Sequence, residues 1–273
     1  MDEKVPELLD LTKKLLDLSK DIFEESLTPH ESLERINALY SVFLRVQMQE
    51  ALRFGYGAYY SCYHGWGHGG IGASRSIYEI LLDIKYINQD ETLKEERFTR
   101  FLDHGDEYLY HKMRIILESG QTVSQKDQDK YTNAYNQLKK KYNDKHKQEV
   151  DSNVEKANAT PKHRPYNWAG IDLSEKVKMV NLEQFHQLYK NLSNLSHVSI
   201  GATLATIADS TENQIEMDLS LYPSPIHCFL VLKVMFTCIS GILEEYMTYF
   251  KIEYSDHPIL ENLWKNYQKL LNE

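Results

Sequence analysis

Apolar side chains recur every three or four residues along most of this chain, which is the spacing of amphipathic α-helices. The first stripe predicts a helix near the N-terminus and consists of Leu8, Leu11, Leu15, Leu18 and Ile22. These side chains share one helix face and need a surface to cover them. The stripe either packs inside the molecule or forms the seam of a homodimer.

The same spacing predicts the other helices, which begin or end at prolines, glycines and capping residues. They run from Pro29 to about Tyr60, from Ala73 to about Ile87, from about Phe98 to Leu117, from about Tyr131 to Tyr142, from Asp172 or Ser174 to Tyr189, from Pro225 to Phe250, and from Pro258 to Leu271. The helix near Tyr131 is polar over most of its surface, so it is expected to be exposed within a polar excursion at residues 124–170.

Between the second and third helices, "GWGHGGIG" at residues 65 to 72 has five glycines in eight positions. Because glycine loses more conformational freedom in a helix than any other residue, this segment predicts a loop. Trp66 is expected to close the end of the bundle there. The glycines are expected to let the second and third helices approach closely.

The apolar segment "IHCFLVLKVMFTCISGIL" at residues 226 to 243 is about long enough to cross a bilayer. Lys233 lies at its middle, where a charge is costly in lipid, so a buried core helix is the favoured interpretation and no membrane association is expected. The sequence therefore predicts one all-α domain over residues 1–273. It is a multi-helix bundle with a long buried C-terminal core helix.

Composition supports this fold and indicates a compartment. Only 12 Gly and 7 Pro occur among 273 residues, which disfavours a turn-rich β fold and a disordered chain. Cys62, Cys228 and Cys238 are far apart in sequence with no CxxC pair, so neither a disulfide framework nor a structural zinc site is predicted. The acidic, amphipathic N-terminus is unlike a signal peptide. A cytoplasmic location is expected.

Charge is distributed unevenly along the chain. The total is −9, whereas residues 126–164 contain ten Lys or Arg and six Asp or Glu, a local balance of 10 − 6 = +4. Lys139, Lys140 and Lys141 are candidates for contacting a phosphate backbone, and a solvated helix face explains them as well.

Two helices carry candidate catalytic groups. On the third helix, Arg75 and Glu79 are four residues apart and share a face, so they form either a structural pair or a site for a phosphate or carboxylate. On the fourth helix, Arg97 and His104 are seven residues apart, nearly on one stripe. His104 can titrate near neutrality, as acid–base chemistry requires.

A metal site is the weaker alternative. His64 and His68 have the spacing of two ligands on a helix, and Glu79, Asp83 and His104 are imaginable partners. The Glu-x-x-His pairs typical of metal sites in helical bundles are missing. No metal and no cofactor are therefore predicted.

The segment "LSNLSHVSI" places His197 after residues that mark a helix end. His197 is either a hydrogen-bonded core histidine or a working acid or base. Ser193, four residues earlier, is positioned to bond the imidazole and fix its tautomer.

These elements resemble a bacterial all-helical family known only as a domain of unknown function. Its members show an Arg-x-x-x-Glu helix, a later Tyr-x-x-Leu-Ser-x-x-x-His element and an apolar helix beyond. The first matches Arg75 and Glu79, and the second matches Tyr189, Leu192, Ser193 and His197. The resemblance extends from the second helix to the apolar one.

The chain is more distantly similar to the HEPN superfamily, helical domains that include metal-independent ribonucleases and phage-defence components. Their signature, Arg-x4-6-His, is matched by Arg97 and His104, whereas Lys190 stands where Arg would precede His197. The resemblance implies RNA as the partner. His197 would act as acid or base, Arg75 would stabilise phosphate charge, Glu79 would hold Arg75, and Ser193 would orient His197. The alternative is a non-catalytic helical interaction or sensor protein.

Overall fold

The computed structural model describes residues 2–27, 35–154, 169, 173–196, 225–252 and 258–272. These residues form helices and turns, and none of them forms a strand, which confirms the predicted all-α class. A short 3-10 helix precedes the α-helices. The α-helices are α1 (Val5–Glu25), α2 (Arg35–Tyr63), α3 (Gly67–Asn88), α4 (Lys94–Glu118), α5 (Gln125–Val154), α6 (Leu173–Met179), α7 (Glu183–Ser196), α8 (Pro225–Phe250) and α9 (Pro258–Asn272).

The chain divides into two compact units. The first comprises residues 1–89 and 177–273, and the second comprises residues 90–176. The first unit therefore contains α1, α2, α3, α7, α8 and α9, while α4 and α5 form the second. The polar excursion at 124–170 falls within the second unit. The assignment of the whole chain to one domain stays a prediction.

Helix α8 is the core of the first unit, and α1, α2 and α3 all pack against it. It is long and apolar enough to cross a membrane by length and composition, yet most of its apolar window is buried inside the protein. Lys233 at its middle is half-buried. Each large apolar side chain buried here contributes about 1.5–3 kcal/mol to folding. The burial of α8 therefore agrees with the prediction of a core helix.

Helix α1 turns its apolar stripe toward α8 and α2. Leu8, Leu11, Leu15 and Ile22 are buried, and Leu18 is half-buried. The structure therefore shows the stripe packed inside the molecule, which is the first of the two interpretations given above. A homodimer stays a prediction.

The prediction of a loop at the glycine-rich segment, residues 65–72, is wrong. Helix α3 begins at Gly67, so only residues 64–66 separate it from α2. Helix α2 ends because Gly65 takes a φ of 81°, while the Trp66 N–H donates to the Ser61 carbonyl at 2.7 Å. Tertiary packing of the first turns of α3 outweighs the low helix propensity of their glycines. Trp66 is 49% exposed and does not close the bundle.

The glycines of α3 allow a close helix contact. A Cβ atom on Gly67 would lie 2.4 Å from the Cys228 backbone nitrogen in α8. A Cβ atom on Gly70 would lie 2.8 Å from Val231 of α8 and 3.3 Å from Ala58 of α2. The structure therefore has the predicted close approach of α3 to α2. It also has a closer approach of α3 to α8, which the sequence does not predict.

A second prediction that the structure corrects is the single helix leading to Tyr189. It is two helices, α6 and α7, because Asn181 takes a φ of 56°. The Leu182 N–H donates to the Val177 carbonyl at 3.1 Å, and the Asn181 N–H donates to the Lys178 carbonyl at 3.2 Å, which closes α6. Asparagine tolerates this left-handed backbone better than other non-glycine residues, so the break occurs there.

In the second unit, α4 packs against α5. The rings of Tyr110 and Tyr135 stack with centroids 4.1 Å apart and an interplanar angle of 6°. Tyr131, Tyr135 and Leu138 are half-buried along α5. This arrangement matches the polar helix with a narrow contact stripe that the sequence predicts.

We expect Gly67→Ala to lower the free energy of unfolding by about 1–3 kcal/mol, because its Cβ would meet backbone that cannot rotate away. Gly72→Ala is the matched control, since it lies in the same helix with open space around its Cβ. There alanine should stabilise the helix by about 0.5–1 kcal/mol. Urea unfolding of both variants, followed by circular dichroism, measures the difference. Equal effects of the two substitutions would contradict the packing described for α3.

Candidate functional site

Tyr189 of α7 meets the Arg-x-x-x-Glu motif of α3. Its hydroxyl donates a hydrogen bond to Glu79 Oε1 at 2.9 Å. The Arg75 guanidinium carbon lies 5.5 Å from the centre of the Tyr189 ring. The shortest distance between Arg75 nitrogen and Glu79 oxygen is 4.0 Å. Tyr189 therefore links the two motif residues more closely than they bind each other.

Tyr189 is also the middle ring of a stack. The Tyr78 ring of α3 lies 4.8 Å from it at an angle of 27°, and the His186 ring of α7 lies 5.9 Å from it at 11°. All three side chains are buried. Ring contacts of this kind contribute about 0.5–1.5 kcal/mol beyond the area that they bury. The stack fixes the orientation of α7 against α3.

Burial sets the protonation of these groups. It raises the pKa of Tyr189, an effect that Arg75 opposes and Glu79 increases. Burial likewise raises the pKa of Tyr78, while burial and the neighbouring Lys190 lower the pKa of His186. Near neutral pH both phenols keep their protons and His186 is a neutral imidazole.

Two buried polar atoms beside Tyr189 have no hydrogen-bond partner within the described part of the chain. They are the Tyr78 hydroxyl and His186 Nδ1. Leaving such a group unpaired costs about 1–3 kcal/mol, so proteins usually supply it with a water or a ligand. We name Arg75, Tyr78, Glu79, His186 and Tyr189 the Arg75–Tyr189 site.

Of the residues predicted to act, the structure brings Arg75 and Glu79 together with Tyr189. Glu79 lies 4.0 Å from Arg75 and is hydrogen-bonded to Tyr189, and its role of holding Arg75 stays a prediction. Sequence reasoning missed Tyr78 and His186. The available signal was spacing, since His186 precedes Tyr189 by three residues and shares its helix face.

His197 lies outside the described residues, directly after Ser196 at the end of α7. Ser193 lies within α7, and its side chain is also outside the described part of the structure. The predicted roles of His197 and Ser193 stay predictions.

The predicted pair of Arg97 and His104 lies on α4, where the two residues are seven positions apart. Arg97 is buried, and His104 Nδ1 lies 3.5 Å from Glu107. His111 Nε2 lies 3.9 Å from the other oxygen of the same carboxylate. The two histidines therefore flank Glu107, and the catalytic role of Arg97 and His104 stays a prediction.

The remaining candidates are only partly described. On α5, Lys140 is exposed, and the side chains of Lys139 and Lys141 lie outside the described residues. Among the described residues, no three His, Cys, Asp or Glu side chains gather as they would around a metal ion. The ring of His68 instead packs on that of His227, with centroids 3.9 Å apart.

We expect Tyr189→Phe to lower the free energy of unfolding by about 1 kcal/mol, because it removes the hydroxyl bonded to Glu79. Tyr63→Phe, at an exposed position of α2, is the matched control and should change stability by less than about 0.5 kcal/mol. Combining Tyr189→Phe with Glu79→Ala should cost less than the sum of the two single substitutions. Strict additivity in urea unfolding would rule out the bond.

The lowered pKa of His186 predicts a pH dependence. The unfolded chain binds a proton at His186 near the ordinary pKa of 6.5, whereas the folded protein resists protonation there. The contribution of His186 to the free energy of unfolding is therefore fully present above about pH 6.5 and is lost as pH falls below that value. Thermal unfolding between pH 7.5 and 5.5 should show a smaller loss of Tm in His186→Phe than in the unsubstituted protein. An equal loss would contradict the buried position of His186.

Residues 45–215 match a protein family described as a family of unknown function, DUF5677. The match covers 215 − 45 + 1 = 171 of the 273 residues and includes the whole Arg75–Tyr189 site. Comparison with curated proteins and with solved structures gives no match. Since the match extends over more than half of the sequence, this chain belongs to the DUF5677 family.

Proposed function

We propose that this protein is a HEPN-like RNA-binding protein that cleaves RNA, with the Arg75–Tyr189 site contacting the scissile phosphate. The observation that supports this best is the position of Arg75. Its side chain is 23% exposed and lies over the Tyr189 ring, so the guanidinium is held in one place without being fully buried. A planar guanidinium in a fixed orientation suits bidentate binding of a phosphate.

The chemistry proposed is cleavage by the ribose 2′-hydroxyl without a metal ion. A base removes the hydroxyl proton, the oxygen attacks phosphorus, and an acid protonates the leaving 5′-oxygen. Arg75 stabilises the negative charge that develops on the phosphoryl oxygens. The proton transfers are assigned to His197, with Ser193 as its orienting residue.

His186 is a second candidate for proton transfer. Its lowered pKa keeps the imidazole neutral near pH 7, so that Nδ1 can accept a proton or a hydrogen bond. That nitrogen has no hydrogen-bond partner in the described part of the structure. Tyr189 retains its proton and can donate to substrate oxygen if its bond to Glu79 is exchanged.

Binding along the RNA backbone is assigned to Lys139, Lys140 and Lys141 of α5. Lys140 is exposed, which such a role requires. The formal charge of −9 means that binding depends on this local basic region rather than on the molecule as a whole. Binding through phosphates should therefore weaken strongly with salt.

One observation favours a non-catalytic interaction or sensor protein instead. The Tyr189 hydroxyl donates to Glu79 and the Tyr189 ring contacts Arg75, so both motif residues serve to attach α7 to α3. In that alternative the Arg75–Tyr189 site is a packing contact, and another protein is the partner.

The test is cleavage of labelled single-stranded RNA by the purified protein in the presence of EDTA. Arg75→Ala and His197→Ala should each lower the cleavage rate by about 100-fold or more, because each removes a group that acts in the transition state. Growth inhibition on overproduction should fall in parallel. Circular dichroism must show that both variants keep their helical content.

Arg114→Ala is the matched control for Arg75→Ala. Arg114 and Glu118 repeat the Arg-x-x-x-Glu spacing on α4, with a 2.7 Å ion pair and both side chains exposed. This substitution should leave cleavage unchanged. The catalytic proposal is abandoned if the folded Arg75→Ala and His197→Ala variants cleave as fast as the unsubstituted protein. An unsubstituted protein that neither binds nor cleaves RNA at low salt supports the interaction protein.

A further inference from the structure

Two cysteines that are 166 residues apart in sequence face each other in the first unit. Cys62 lies in the last turn of α2, and Cys228 lies in the first turn of α8. Cys62 Sγ lies 3.9 Å from the Cys228 carbonyl oxygen, and Cys228 Sγ lies 3.7 Å from the Cys62 carbonyl oxygen. The contacts are reciprocal, so the two side chains lie alongside each other.

Both thiols are free and buried, and each donates to the backbone carbonyl of the other cysteine. Gly67, at the start of α3, lies close to Cys228, because a Cβ atom on Gly67 would lie 2.4 Å from the Cys228 backbone nitrogen. Cys228 thus lies where the N-terminal turns of α3 and α8 meet.

We propose that Cys62 and Cys228 form a redox site, which a peroxide oxidises to a disulfide joining α2 to α8 and which a small thiol reduces again. Nothing in this proposal depends on RNA cleavage. It requires two thiols in contact, different acidities of the two sulfurs, and access for a small oxidant.

The reaction balances with hydrogen peroxide as the oxidant. The Cys228 thiolate attacks one peroxide oxygen, the O–O bond breaks, and hydroxide leaves, which gives Cys228 sulfenic acid. The Cys62 sulfur then attacks the sulfenic sulfur, and the S–O bond breaks as the S–S bond forms. The proton of Cys62 leaves with the oxygen as water. Overall, two thiols and one peroxide give one disulfide and two waters.

The environment distinguishes the two sulfurs. The neighbouring Cys62 thiol and Gly67 N–H lower the pKa of Cys228, whereas the neighbouring Cys228 thiol and burial raise the pKa of Cys62. A thiol near helix N-termini is the more readily deprotonated one, so Cys228 is the attacking group and Cys62 is the resolving group. Both thiols are buried, so the reaction requires the first turn of α8, which begins near the exposed Ile226, to open enough to admit a peroxide.

Cys238 provides an internal comparison. It is also on α8, and burial alone raises its pKa. A thiol in apolar surroundings with a raised pKa reacts slowly with peroxide. The proposal therefore assigns the reaction to two of the three cysteines.

The test is stepwise addition of hydrogen peroxide to the reduced full-length protein, followed by intact mass and peptide mapping without reduction. The expected product has lost two hydrogen atoms and contains a Cys62–Cys228 linked peptide pair. Dithiothreitol should restore the original mass. Because the disulfide closes a long loop, the oxidised protein should unfold at a temperature higher by roughly 5 °C or more.

Cys238→Ser is the matched control and should give the same linked peptides at the same rate. Cys62→Ser should stop the reaction of Cys228 at the sulfenic acid, which dimedone labels. The mapping of the unsubstituted protein decides the question even if a variant fails to fold. A linkage that includes Cys238, oxidation to sulfinic acid without a disulfide, or unchanged thiols after excess peroxide overturns the proposal.

Discussion

The close contact between α3 and α8 is the constraint on which the rest of the first unit depends. Glycines of both helices allow this contact. Gly67 and Gly70 of α3 leave room for the backbone and side chains of α8, and Gly241 of α8 leaves room for Leu81 of α3. A side chain at these glycines would force apart two helices whose separation is set by the size of the residues between them. The glycines reduce the intrinsic helix propensity of α3, and burial against α8 offsets that loss.

Because α3 is fixed in this way, its polar motif is presented at one defined place. Arg75 and Glu79 begin about two turns after Gly67, and α7 packs on the same helix with Tyr189 between them. An exposed ion pair between residues four apart on a helix would contribute only a few tenths of a kcal/mol to stability and would not fix the position of either side chain. The buried tyrosine changes this, since its ring orders the guanidinium and its hydroxyl orders the carboxylate.

The two proposals use different physical properties of the same unit. RNA cleavage requires that Arg75, while lying over the Tyr189 ring, still presents part of its guanidinium to a phosphate, and its partial exposure is the property that supports this. The redox site depends on α2, α3 and α8 ending or beginning within contact distance, which places Cys62, Gly67 and Cys228 next to one another. Both sites therefore follow from how α3 is placed.

The sequence by itself determined the all-α class, most helix positions and the core helix α8, because these follow from apolar spacing within a short segment. It also placed Arg75, Glu79 and Tyr189 in short motifs. It could not determine that Gly67 begins a helix, that Glu79 binds Tyr189, or that Cys62 meets Cys228. Those facts depend on which helices pack together and how closely, and long-range packing outweighs local propensity wherever burial gains more free energy than the backbone loses. Only the tertiary structure therefore decided them.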